Sequence, residues 1–325
     1  MYINRRVNIP LIWKFARKPF IFFLIYSTGI TAAYFFLNLK FLAAPFTPVA
    51  IVGTAVALYV GFKNNSAYDR LWEGRRIWGS IVNFSRSWGM MVLDYIDGNP
   101  EVKRQLIYRH LAFIHALKNQ LRKDTVWHYH GTDRRIVESH TEFRQHHLDT
   151  ELKAFLSEDE VMEAVKYKNA ATHLLKKQSA ILRQLYNEGA LNDFRFIEME
   201  KLVVEFYNQQ GACERIKGFP LPRQYAFFSY AFTWVLILVL PFGLLGEFQK
   251  IGEWSVWFTV PTHIIVSWIF NTMEKVGDTS ENPFENGIND VPMTAICRTI
   301  EIDLKEMLGE TDIPEKVKPV DGILM

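Results

Sequence analysis

Residues 52–76 read VGTAVALYVGFKNNSAYDRLWEGRR. The stretch opens apolar enough for a bilayer core and closes crowded with guanidinium, carboxylate, amide and indole groups. If residues 53–62 are helical, Gly53, Ala57 and Gly61 fall four apart and make one smooth ridge, and small ridges of this kind let helix backbones approach closely in a membrane. Thr54, Leu58 and Phe62 repeat the same spacing about 100° further round. Asn64, Asn65 and Ser66 carry the helix into water. Residues 67–79 then hold Tyr68, Trp72, Trp78, three arginines and two carboxylates. Arg70 and Glu73 are i,i+3 neighbours, as are Asp69 and Trp72, which predicts intrahelical pairing with aromatic stacking on arginine.

A bilayer core about 30 Å thick needs roughly 20 mostly apolar helical residues. Four stretches approach that length: about 20–39, 46–62, 225–246 and 254–270. Pro241 lies near the far end of the third and predicts a kink, tolerated where a neighbour satisfies the freed carbonyl. The fourth carries Trp254, Trp257 and Trp268 where interfacial aromatics belong, together with Pro261 and His263. The first run is too long for a signal-peptide core and no small-residue cleavage site follows it, so it reads as a retained helix. Arg5, Arg6, Lys14, Arg17 and Lys18 precede it, whereas the short connections 40–45 and 247–253 hold only Lys40 and Lys250. The positive-inside rule therefore puts both termini and the long middle of the chain in the cytoplasm.

The division that follows is an N-terminal segment and hairpin (1–63), a cytosolic region (64–222), a second hairpin (223–271) and a cytosolic C-terminal segment (272–325). The cytosolic region reads as helix almost throughout. Ile107, Leu111, Ile114 and Leu121 make one apolar stripe. Residues 158–187 make another, after an N-cap signal at Ser157 with Glu160 three positions on. A third helix is predicted over 191–211, and residues 218–222, GFPLP, must break it. No strand-like alternation of any length is present, so the fold class is all-α, a multi-pass helical membrane protein with four spans.

The 325 residues carry 37 basic and 35 acidic side chains. A formal net charge of +2 gives no reason to expect a nucleic-acid partner, which wants a basic patch or stripe. Cys213 and Cys297 are too few and too far apart for a disulfide framework or a thiolate metal site. Seven of the nine histidines fall between His110 and His147, including His128, His130 and His146 with Glu142 one turn before it. No set there reaches three or four ligands at zinc-site spacing, so they read as a solvated, pH-sensitive segment. Phosphate loops, nucleophile elbows and H-E-x-x-H metal sites are all missing, and no enzyme centre is visible.

GFKNNSAYDRLWEGRRIWG at 61–79, GACERIKGFPLP at 211–222, ENPFE at 281–285, NDVP at 289–292 and AICRTIE at 295–301 together resemble the bestrophin family, in particular its bacterial members. The resemblance runs along nearly the whole chain, in order. It implies a homopentameric ion channel in the cell inner membrane, with no catalysis and no cofactor. The partners it implies are other copies of this chain, the lipid bilayer and small monovalent ions. By position, Thr54, Leu58 and Phe62 would line a membrane neck and Ile197 a cytosolic aperture. Gly53, Ala57 and Gly61 would allow close helix packing, while Asp69, Arg70, Trp72 and Glu73 would brace the cytosolic end of the neck. Asn282 to Phe284 would tie the C-terminal segment beside it.

Two departures from the family pattern bear on function. Thr54 stands where members commonly have a bulky apolar residue, so the outermost ring would be wetter. The acidic run that clamps calcium in animal members is reduced here to a residual set, Asn282, Glu285 and Asp290, which argues against calcium control of that kind. Neutral rings carry no charge with which to choose chloride or sodium. The rival readings are a non-conducting membrane scaffold or assembly protein, and a metalloenzyme built on the histidine-rich segment.

Overall fold

A computed structural model describes residues 1–3, 9–123 and 148–325, with side chains of the first helix described from residue 17. Ten α-helices are described: α1 (Ile9–Phe36), α2 (Phe46–Tyr95), α3 (Pro100–Arg122), α4 (Leu148–Leu152), α5 (Glu158–Val165), α6 (Ala170–Asn187), α7 (Asp193–Gly218), α8 (Arg223–Phe248), α9 (Thr259–Ser280) and α10 (Met293–Met307). Among the described residues no strand is present beyond isolated bridges at Tyr2, Val320 and Ile323. The chain divides into two compact units, one of residues 4–69 and 220–281, the other of residues 1–3, 70–219 and 282–325. Helix α2 contributes to both; its 50 residues make it about 75 Å long.

In the first unit, α1 and α8 each pack on α9. Val49, Val56 and Val60 of α2 interdigitate with Leu236, Leu240 and Leu244 of α8. Glycines set the closest approaches. A Cβ on Gly243 would lie 2.9 Å from Val49 Cγ2, and one on Gly246 would coincide with the carbonyl oxygen of Ala44. The Ala44 N–H in turn donates to the Phe242 carbonyl at 3.0 Å. Pro241 is buried within α8 and removes the donor for the carbonyl of Ile237. His263 of α9 supplies a replacement, its Nε2–H donating to that carbonyl at 2.9 Å. An unpartnered carbonyl in an apolar layer would cost several kcal/mol, so histidine and proline belong together.

The segment read as a fourth span, 254–270, divides. Trp254–Phe258 is a 3₁₀ turn, and α9 starts behind it, with Pro261 in its first turn where no helical N–H is lost. Among the described residues three helices are long and apolar enough to cross a membrane, within α1, α2 and α8. Helix α9 falls short of that measure because His263, Asn271, Glu274 and Lys275 dilute it.

The second unit folds around two tryptophans of α2, Trp78 and Trp88, both fully buried. Phe206 of α7 meets Trp88 edge-on at 6.4 Å and Phe113 of α3 at 5.8 Å. His110 lies in the same cluster with Nε2 2.9 Å from Ser85 Oγ, and burial pushes its imidazole down to about 3, leaving it neutral. Asparagines begin three helices: Asn99 accepts from Glu101 N, Asn169 from Thr172 N and Asn192 from Arg195 N. Ser157 caps α5 as its sequence signal predicts. The helix expected over 158–187 is nevertheless two, because the Asn169 cap starts α6 afresh after α5 ends at Val165. Helix α7 runs to Gly218, beyond the predicted 211, before the proline-rich break.

Glu151 of α4 is a hub for α3. It accepts from His115 Nδ1 at 3.0 Å, from Asn119 Nδ2 at 2.9 Å and from Lys118 Nζ at 2.7 Å. Burial alone would raise its carboxyl, but the bond from His115 and the ammonium of Lys118 overcome it and hold the group at about 2.

Two outcomes are expected. Gly246→Val should cost about 3 kcal/mol or more by forcing the Ala44 connection away from α8, and an unchanged melting temperature of the purified protein would refute that close approach. A carboxyl held at about 2 against an ordinary 4.5 stabilises the fold above pH 4.5, a contribution lost as pH falls from 4.5 towards 2. Glu151→Gln should therefore destabilise by about 3 kcal/mol at neutral pH and flatten the melting profile through that window; parallel profiles for the two proteins would exclude Glu151 as the source.

Candidate functional site

The two sides of α2 differ sharply within the first unit. Val56, Val60 and Lys63 are buried, whereas Thr54, Leu58 and Phe62 are exposed, Leu58 by 62% and Phe62 by 55%. The stripe singled out by periodicity is thus an exposed apolar face, opposite the buried Val56, Val60 and Lys63. Thr54 is less polar than its type suggests, because its hydroxyl donates to the Ala50 carbonyl at 3.0 Å within the same helix. Within the single chain only one end of the small ridge meets another helix. A Cβ on Gly53 would touch Leu236 of α8 at 3.6 Å, while Ala57 is exposed and Gly61 has open space beside it.

One residue past Phe62, Lys63 is fully buried, its ammonium paired with Glu274 at 2.7 Å and Asp278 at 2.5 Å. The carboxylates sit four apart on one face of α9, and Gly277 between them leaves room for Lys63 and Asn64 to pass. Periodicity overlooks this group, in which Lys63 figures only as the end of an apolar run. The available signal was an i,i+4 carboxylate pair closing the last apolar helix.

In the second unit, charged residues that follow the Thr54–Phe62 stripe bond to α7. Arg70 donates to the carbonyls of Ile216 at 2.8 Å and Phe219 at 2.6 Å, closing the C-terminal end of that helix. Glu73 pairs with Arg215 at 2.5 Å. In place of the intrahelical partnership expected for Arg70 and Glu73, both reach across to another helix. Trp72 remains about half exposed, and Asp69 is exposed in the other unit. Pro283 and Phe284 pack on Gly74 so tightly that a Cβ there would lie 3.0 Å from the Phe284 ring. Ile197 is half exposed near the start of α7, beside Phe194 at 82% exposure.

The residual acidic set has internal partners. Glu285 pairs with Lys217 at 3.4 Å, and Asp290 accepts from the Gly287 N–H at 2.8 Å. Among the described residues no cluster of three or more histidine, cysteine or acidic side chains could hold a metal ion. His110 is buried and bonded to Ser85, and His115 is half-buried and bonded to Glu151, whereas His128, His130, Glu142 and His146 lie outside the described residues. Both cysteines are buried; burial raises the Cys297 thiol to about 12 and raises Cys213 as well, so neither is a ready thiolate.

Comparison with known proteins matches this architecture. The voltage-dependent anion channel-forming protein YneE of Escherichia coli O157:H7 is 29% identical over 286 residues, covering 88% of this chain and 83% of the relative. A protein of the same description from Mesorhizobium japonicum, mll4386, is 28% identical over 305 residues, covering 92% and 86% respectively. The crystal structure of a bacterial bestrophin homolog from Klebsiella pneumoniae superposes with a TM-score of 0.77 at 23% identity, over 92% of this chain and 99% of that one. The family model for bacterial and fungal bestrophin proteins matches residues 12–306, nearly the whole chain, which therefore belongs to that family.

Proposed function

We propose that this chain is one subunit of a homopentameric channel that passes small monovalent ions along an axis lined by α2. The observation that carries the reading is the free apolar stripe of Leu58 and Phe62, on a helix whose other side is packed, in a family with channel-forming relatives. Thr54, Leu58 and Phe62 form the neck in this reading, and Ile197 the cytosolic aperture. Ala57 and Gly61, open in the single chain, admit the neighbouring subunit, while Gly53 serves packing on α8. Arg70 and Glu73 hold α2 to the end of α7 and so fix the cytosolic end of the neck, with Asp69 and Trp72 beside them. The channel sits in the cell inner membrane with both termini cytoplasmic, α9 completing the second hairpin. The chain is not an enzyme, as its family and its channel-forming relatives indicate.

Rings of apolar side chains conduct only when they widen or hydrate, so gating at the neck is by dewetting. The rings are neutral and discriminate weakly by field. The names of the relatives favour anions, and chloride is the ion proposed. Glu285 and Asp290 are engaged within the fold, and calcium has no part in this mechanism.

Purified protein in planar bilayers under a salt gradient, with a calcium chelator present, is expected to give currents whose reversal potential lies towards that of chloride. A reversal towards sodium would overturn the anion assignment, and silence with intact pentamers would leave the scaffold reading in its place. Phe62→Ala widens one ring and should raise single-channel conductance severalfold; an unchanged current would remove Phe62 from the ion path.

A further inference from the structure

Between α3, α4 and α10 of the second unit lies a cavity of about 400 Å³, in the size range of small-molecule sites. Four cationic side chains line it, Lys118, Arg122, Arg298 and Lys318, against the carboxylates Glu151 and Glu301. Both carboxylates are already paired. Glu151 holds Lys118 and His115, and Glu301 shares Arg298 and Lys305 at 3.2 Å each.

Among the described residues no carboxylate forms an ion pair with Arg122, the last residue of α3, although Glu151 and Asp290 lie near enough to favour its charge. Its Nη2 donates to the Thr294 hydroxyl at 2.7 Å, and its buried Nε–H has no acceptor. Burial penalises its charge and pushes the guanidinium below its ordinary range. A half-buried guanidinium whose Nε–H is sealed from water without an acceptor is costly, and a bound oxyanion relieves that cost through charge-assisted bonds. The imidazole of His115 gives Nδ1–H to Glu151, so its buried Nε2 is a second unpartnered polar atom, an acceptor, in the same wall. Ala154, Phe155, Val317 and Met325 supply an apolar part of the wall.

We propose that this cavity binds a small organic anion, its acidic head on Arg122 and its body along Phe155 and Val317. The site lies wholly within the second unit and does not depend on ion conduction. Its ligand would be a cytosolic effector of the protein or a structural one, and binding is measured apart from current.

Calorimetric titration of the full chain in detergent with benzoate and with inorganic phosphate tests it. Benzoate is expected to bind saturably and more tightly than phosphate, and Arg122→Gln to weaken benzoate tenfold or more. Absence of benzoate binding, phosphate binding with benzoate silent, or equal benzoate affinity in Arg122→Gln would overturn the proposal. Val317→Trp fills the cavity while leaving the Arg122–Thr294 bond in place, so it serves should Arg122→Gln fail to fold. It should abolish benzoate binding, and retained affinity would equally refute the site.

Discussion

The buried ammonium of Lys63 is the constraint on which the first unit depends. A helix that leaves an apolar layer by way of a lysine must give that charge a partner, because an isolated buried cation is far costlier than any packing term around it. Glu274 and Asp278 meet it, and doing so fixes the rotation of α9 and requires the narrow residue Gly277 between them. The free stripe of α2 follows from the same choice. With Val56, Val60 and Lys63 turned inward, Leu58 and Phe62 can only face outward.

A second requirement shapes α8. Pro241 breaks the hydrogen-bond ladder where water is not at hand, and the His263 imidazole on the facing helix replaces the lost donor. From sequence alone Pro241 predicts a kink and a neighbour for the freed carbonyl, whereas His263 figures only as one residue of the fourth apolar stretch. The two are halves of one polar contact.

That pattern describes what was legible. Local signals survive translation into structure: the stripe of Thr54, Leu58 and Phe62, the Ser157 cap, the break at residues 218–222 and the helical class of the described residues. What escaped depends on partners distant in sequence. Arg70 and Glu73 look like an i,i+3 pair because spacing along one helix is all that periodicity measures, whereas the end of α7 offers Arg70 two unpaired carbonyls and Glu73 a guanidinium. The division of 158–187 was missed because Asn169, a strong cap, stands inside an otherwise continuous apolar rhythm. The commitment of Glu285 and Asp290 to contacts within the fold is equally invisible in a count of acidic residues.

Gly74 and Phe284 carry one more meaning. The W-E-G and N-P-F segments look like separate signatures, far apart in the chain, yet the ring of one fills the space that the other leaves by having no side chain. They are therefore one joint of the fold, and a side chain at position 74 would have to evict the Phe284 ring from its seat.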